Sequence, residues 1–265
     1  VITHSLTSNP DGAGVLSTWG YNAYGQLGNG TAINKSSPIQ IGTLTNWSQT
    51  SLGNDVISLA TKTDNSLWTW GYNTNGELGD GTTVHRSSPV QVGTLTNWSQ
   101  VSGGSMNSYA IKTDGSLWAW GAGNNGALGD GTTIAKSSPI QIGALTNWKK
   151  VVAGNSTTFM IKTDNTLWAC GYNYYGGIGN GGTTKVVTPI QIGSLSDWKD
   201  VSVGHFTTAA IKLDNTLWMW GLGTAGELGQ INEAVSRSTP VQVSGSWISV
   251  YVNDGTTVGA IRSDN

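Results

Sequence analysis

LWTWGYNTNGELGDGTT, residues 67–83, runs from an apolar tetrapeptide into a loop punctuated by glycine. The chain writes nearly the same line five times. The matching loops are GYNAYGQLGNGT from Gly20, GYNTNGELGDGT from Gly71, GAGNNGALGDGT from Gly121, GYNYYGGIGNGG from Gly171 and GLGTAGELGQIN from Gly221. The steps between them are 51, 50, 50 and 50 residues. Pro38, Pro89, Pro139, Pro189 and Pro240 keep that step, as do Trp47, Trp98, Trp148, Trp198 and Trp247. Three parallel series at one period mark an array whose units bury their surface against their neighbours.

Within the unit that begins at Leu67, Leu67–Trp70 is apolar or small at every position, the pattern of a strand covered on both faces; it is strand A. Pro89–Val92 reads as strand B, with proline at the first position where a missing N–H is tolerated. Trp98–Ser102 is strand C and Tyr109–Thr113 strand D. Asp64-Asn65, Asp114-Gly115, Asp164-Asn165 and Asp214-Asn215 accept positive φ and read as two-residue hairpin loops joining each D to the next A. No segment has helical period. The expectation is an all-β chain, a β-propeller of roughly 50-residue four-stranded blades with five repeats. It is read as a single propeller domain over residues 1–265. Units start near residues 16, 67, 117, 167 and 217, after a degenerate strand and turn over 1–14. His4–Ser8 is the worn strand D, followed by the turn Asn9-Pro10-Asp11-Gly12. Closure has two readings, a five-blade ring and an excerpt of a longer array.

The G-Y-N-x-x-G-x-L-G-D-G-T loop, the proline about eighteen residues after its first glycine and the AIKTDGSLWAWG hairpin at 110–121 resemble the repeats of the regulator of chromosome condensation family, in a bacterial or phage-like version. The resemblance spans essentially the whole chain. It implies a propeller, usually seven-bladed in the family, and guanine-nucleotide exchange on a small GTPase with chromatin binding. The family's repeats often carry a His three residues after the glycine that ends strand C; here Thr157 follows Gly154 and Thr207 follows Gly204.

Glycine is 38 of 265 residues, about twice the ordinary share of roughly 7%. Charged residues are only 11%, against a typical value of about 25%. The surface is therefore built from Thr, Ser, Asn and Gly, a composition associated with extracellular, cell-surface and virion proteins. A net charge of −2 offers no pull toward phosphate backbones or anionic lipid, so nucleic acid is not an expected partner. No run approaches the ~20 apolar residues of a membrane-spanning helix, and membrane insertion is not expected. The opening residue is Val1, as in a processed or excised piece, so the missing signal-peptide pattern decides nothing.

His4, His85 and His205 share no motif, and metal-ligand spacings are missing; neither catalytic residues, metal nor cofactor is expected. Asn73–Glu77 has oxygen ligands at alternate positions, as a calcium loop would, but reads better as Asx and Gly building a turn. The glycines lack the helix and the Gly-Lys-Ser/Thr ending of a phosphate loop. Cys170 stands where other units carry Trp19, Trp70, Trp120 and Trp220, which places it in a packed strand. Lys62, Lys112, Lys162, Lys212 and Arg262 each precede a turn Asp or its equivalent by two residues and read as solvated pairs on one rim.

Strand alternation puts the A–B and C–D loops on one face. There the residues that differ between units are Tyr24, Thr74, Tyr174 and Tyr175 in A–B loops and Met106, Phe159 and His205-Phe206 in C–D loops. Such positions are not needed by the blade and are where a specific surface can live. The expected binding residues are Tyr24, Tyr174, Tyr175, His205 and Phe206, flanking one patch if the five units close a ring. The function expected is non-enzymatic recognition or structural, displayed outside a cell or on a virion. Its expected partners are protein or glycan, and it is read as a possible component of a larger assembly. Alternatives are a secreted enzyme inhibitor of similar repeat pattern, or the exchange factor that the resemblance implies.

Overall fold

The computed structural model describes residues 3–8, 14–53, 56–230, 234–253 and 257–263. They divide into two compact units, residues 1–123 with 134–146 and residues 124–133 with 147–265. In the first unit β1 (Thr3–Ser8), β2 (Gly14–Gly20) and β3 (Lys35–Gln40) pair antiparallel around β2. Four strands follow in order, β4 (Trp47–Gly53), β5 (Ile57–Lys62), β6 (Leu67–Gly71) and β7 (Arg86–Gln91), joined to the first group, among the described residues, only by the pair Gly14↔Trp47 between β2 and β4. The next four form a sheet, β8 (Trp98–Gly103), β9 (Asn107–Lys112), β10 (Leu117–Gly121) and β11 (Lys136–Gln141). The second unit holds β12 (Trp148–Ala153), β13 (Thr157–Lys162), β14 (Leu167–Gly171) and β15 (Val186–Gln191). It continues with β16 (Trp198–Val203), β17 (Thr207–Lys212), β18 (Leu217–Gly221) and β19 (Arg237–Val243), then the pair β20 (Trp247–Val252) and β21 (Val258–Arg262).

This is the all-β architecture of repeated propeller sheets. Each full sheet runs C-D-A-B, so a sequence repeat completes one sheet with A and B and opens the next with C and D. The reason is loop length: the D–A connection is too short to leave a sheet. The worn strand D is β1, paired with β2 from Thr3↔Trp19 to Ser8↔Gly14; the turn expected at Asn9–Gly12 lies outside the described residues.

Two local expectations are corrected. The D–A loop is longer than two residues: Asn65 N–H donates to Lys62 O at 2.9 Å, Asn65 takes φ 59° and strand A resumes at Leu67. This is a turn followed by a left-handed residue, and Asp64 Oδ1 braces it by accepting from Ser66 N–H at 2.9 Å. Pro89 sits inside β7, as its fourth residue. It is tolerated because β7 is the sheet's edge and the pairing with β6 slips between Thr69 and Gly71.

The core lies in strands D and A. Every residue of β5, β9, β13 and β17 is buried. The glycine loop then latches sheet to sheet. Its carbonyl at Gln26 accepts Trp70 Nε1–H at 2.9 Å and Ser58 Oγ–H at 2.8 Å from the following sheet; Gly177 O accepts Trp220 Nε1–H at 2.8 Å and Thr208 Oγ1–H at 2.9 Å. The indole passes so close that a Cβ on Gly28 would lie 2.7 Å from Trp70 Nε1. At the matched place in the second unit the donor is the Cys170 thiol, 3.5 Å from Ala127 O. Burial, with the Asp130 charge adding to it, pushes that thiol up to about 12. The packed-strand reading of Cys170 holds. Native protein is expected to resist a disulfide reagent near neutral pH and to react fully in denaturant; labelling of the folded chain at the unfolded rate would count against a buried thiol.

The lysines are not solvated, which corrects the rim reading. Lys62, Lys112, Lys162 and Lys212 are only 5–6% exposed. Lys112 Nζ lies 3.6 Å from the ring centre of Trp118 and 4.8 Å from that of Trp98, a cation–π contact on two indoles. Lys62 repeats it on Trp68 at 3.5 Å and Trp47 at 5.0 Å. Desolvation lowers the pKa of Lys62, Lys112 and Lys162, with the turn aspartate opposing it. In K-x-D the lysine is the last residue of a strand buried on both faces, while the aspartate lies beyond it in the turn.

Candidate functional site

The loop that carries the surface aromatics is held by its buried asparagine. Asn73 Oδ1 accepts Leu78 N–H at 2.8 Å, and its Nδ2 donates to Thr82 O and Val84 O, each at 3.1 Å. Asn173 repeats this with Ile178, Gly182 and Thr184. Glu77 is fully buried and accepts Asn75 N–H at 2.8 Å and Asn75 Nδ2–H at 2.8 Å, so its carboxylate builds the turn. Beside the inward asparagine the preceding tyrosine, Tyr72 or Tyr172, is half-buried.

In the second unit four of the expected binding residues meet. Tyr175 packs on Phe206 with ring centres 4.7 Å apart and edge-on to Tyr174 at 5.0 Å; His205 stacks on Phe206 at 3.7 Å. Tyr172, the tyrosine of the G-Y-N motif, completes the group at 5.8 Å from Phe206 and 6.4 Å from Tyr174. Thr157, at the family's His position, donates its hydroxyl to Tyr172 O at 2.9 Å and so fixes the loop from the neighbouring strand. Burial raises the Tyr172 pKa, and Tyr175 and Tyr174 add to that, so the phenol stays neutral and can donate. Tyr174 is 65% exposed. The dimple among these rings is only ≈ 10 Å³, room for about one water, which suits a flat macromolecular contact better than a small ligand.

Tyr24 belongs to a group in the first unit. It stands edge-on to Tyr72 at 5.0 Å, His85 at 5.4 Å and Tyr21 at 6.4 Å. His85 stacks on Tyr72 at 4.8 Å and accepts Asn73 N–H on Nδ1 at 2.9 Å. Sequence reasoning missed Tyr21, Tyr72 and Tyr172 because they recur in the motif and read as scaffold; the buried Asn beside them was the available signal. Phe159, expected in a C–D loop, is instead fully buried in β13, because strand D starts two residues earlier than its apolar run suggests. Met106 is exposed, at 44%. Among the described residues no cluster of His, Cys, Asp and Glu could hold a metal ion, and no helix is long and apolar enough to cross a membrane.

Comparison with known proteins bears on the repeat. The regulator of chromosome condensation (RCC1) repeat model matches residues 14–58, 64–111, 114–161 and 164–211, and a second model of that repeat matches 148–176. The ultraviolet-B receptor UVR8 of Arabidopsis thaliana is 32% identical over 103 residues, 36% of this chain and 21% of the receptor. Prp20p of Saccharomyces cerevisiae is similar in structure at TM-score 0.84 and 18% identity, over 100% of this chain and 67% of that one. Human WBSCR16 is similar at TM-score 0.77 and 19% identity, over 90% of this chain and 65% of that one. The chain thus spans about a fifth of the curated relative's length. Prp20p is described by its binding to Gsp1p and histones, and yeast RCC1 (Prp20) is seen bound to Kap60; at these identities the likeness carries the fold.

Proposed function

Since the chain belongs to the regulator of chromosome condensation (RCC1) repeat family, we propose that it is a non-enzymatic recognition propeller. It docks a protein through the aromatic groups on its A–B and C–D loops. The observation that carries this reading is the cluster of Tyr172, Tyr174, Tyr175, His205 and Phe206 around a dimple too shallow for a small ligand. Rigid aromatics of this kind supply large contact area at low entropic cost and often hold most of an interface's energy. Relatives that bind proteins support the same class of function. The sparsely charged, hydroxyl-rich surface further supports display outside a cell or on a virion, which labelling of intact cells or particles with a membrane-impermeant reagent tests.

Capture of proteins from the source extract, read by mass spectrometry, tests the docking face. Tyr24, Tyr174, Tyr175 and Phe206 changed together to Ser should lose the partner that the parent chain retains while the chain still unfolds in one cooperative transition. Tyr174→Ser alone, at the exposed ring, should weaken binding with the melting temperature nearly unchanged. Leu145→Ser and Leu195→Ser, at B–C loop leucines 47% exposed on the opposite ends of the strands, should keep it. Loss with the leucine variants and retention with the aromatic ones would assign binding to the other face.

A further inference from the structure

The buried lysines of the first unit each line a cleft. One, ≈ 320 Å³, is walled by Trp98, Trp118, Leu95 and Pro139 with Lys112 between them; Asp80 also lines it, its carboxylate neutralised by Arg86 at 2.7 Å. The other, ≈ 420 Å³, has Trp47, Trp68, Leu44 and Pro89 around Lys62. Both fall in the size range of small-molecule sites, about 300–1,000 Å³. Among the described residues neither lysine forms an ion pair; Asp64 and Asp114 act on them only at longer range. Each ammonium stands over two indole faces at the wall of its cleft, with no carboxylate of the described residues in contact.

The chain itself shows what completes it. In the fourth repeat the residue before the strand-C tryptophan is Asp197, whose Oδ2 lies 3.3 Å from Lys212 Nζ. At the matched positions stand the neutral Asn46 and Asn97. Leu44 and Leu95, 46% and 48% exposed, leave an apolar lip on each cleft. We propose that the clefts at Lys62 and Lys112 each bind a small organic carboxylate with an apolar body. Its carboxylate accepts from the lysine ammonium, where Asp197 does so for Lys212. Its apolar part lies against the indole, the proline ring and the leucine.

Calorimetric titration with phenylacetate, and in parallel with phenylacetamide, tests the assignment on the full chain. The acid should bind, and the amide roughly tenfold or more weaker, since a hydrogen bond to a charged group is worth about 1.5–3 kcal/mol. Asn97→Asp copies the arrangement at Asp197 and should remove one site from the stoichiometry without lowering the melting temperature; Asn46→Asp should remove another. Lys112→Met, which keeps the apolar stem, should remove the same site as Asn97→Asp. Equal binding of acid and amide, unchanged stoichiometry in Asn97→Asp, or no binding of phenylacetate at millimolar concentration would each overturn the proposal.

Discussion

Trp120→Ala lowers the free energy of unfolding by about 3–5 kcal/mol, the range for truncating a buried aromatic to Ala. The indole is fully buried. It stands edge-on to Trp98 with ring centres 6.3 Å apart, and it is part of the cluster that contains Leu78, Val92 and Ala110. Gly79 lies against its other side, where even a Cβ would come within 2.7 Å of Nε1. The backbone of that glycine loop is pinned by Asn73 and cannot collapse into the space, so a cavity remains and its penalty adds to the lost burial. Urea melts of the parent and variant measure the difference; a loss below about 1 kcal/mol is incompatible with a packed indole at this position.

Gly76→Ala is the second large loss, about 2–5 kcal/mol, built from left-handed backbone strain of about 1–2 kcal/mol and overpacking of about 1–3 kcal/mol. Gly76 has φ +84°, and its Cβ would stand 2.3 Å from Ser137 Cα and 2.9 Å from Lys136 O. Both are backbone atoms of β11, which no side-chain rotation relieves. Gly226 supplies the control: it has φ +85° with nothing within 4 Å, so Gly226→Ala should show the strain alone. Equal losses for the two variants in matched denaturant melts would mean that strain, and not the approach of β11, makes the loop a glycine loop.

Residue types and spacing, without any coordinates, determined the five-fold repeat, the strand character of Leu67–Trp70, the burial of Cys170 and the turns at Asp64-Asn65 and its copies. These are local properties: strand alternation, φ preferences and a position matched to buried tryptophans act within a few residues of chain. Tertiary structure decided the rest. It grouped the strands as C-D-A-B and stacked His85 on Tyr72. It also set Tyr175 against Phe206, residues 31 positions apart in the chain, and turned Lys62 and Lys112 inward onto paired indoles. The physical reason is that each of these outcomes depends on what an adjacent strand, the far end of a loop or a neighbouring sheet places opposite a side chain. A lysine two residues before a turn is solvated or buried according to whether two indole faces stand over it, and its own neighbours in sequence carry no record of them.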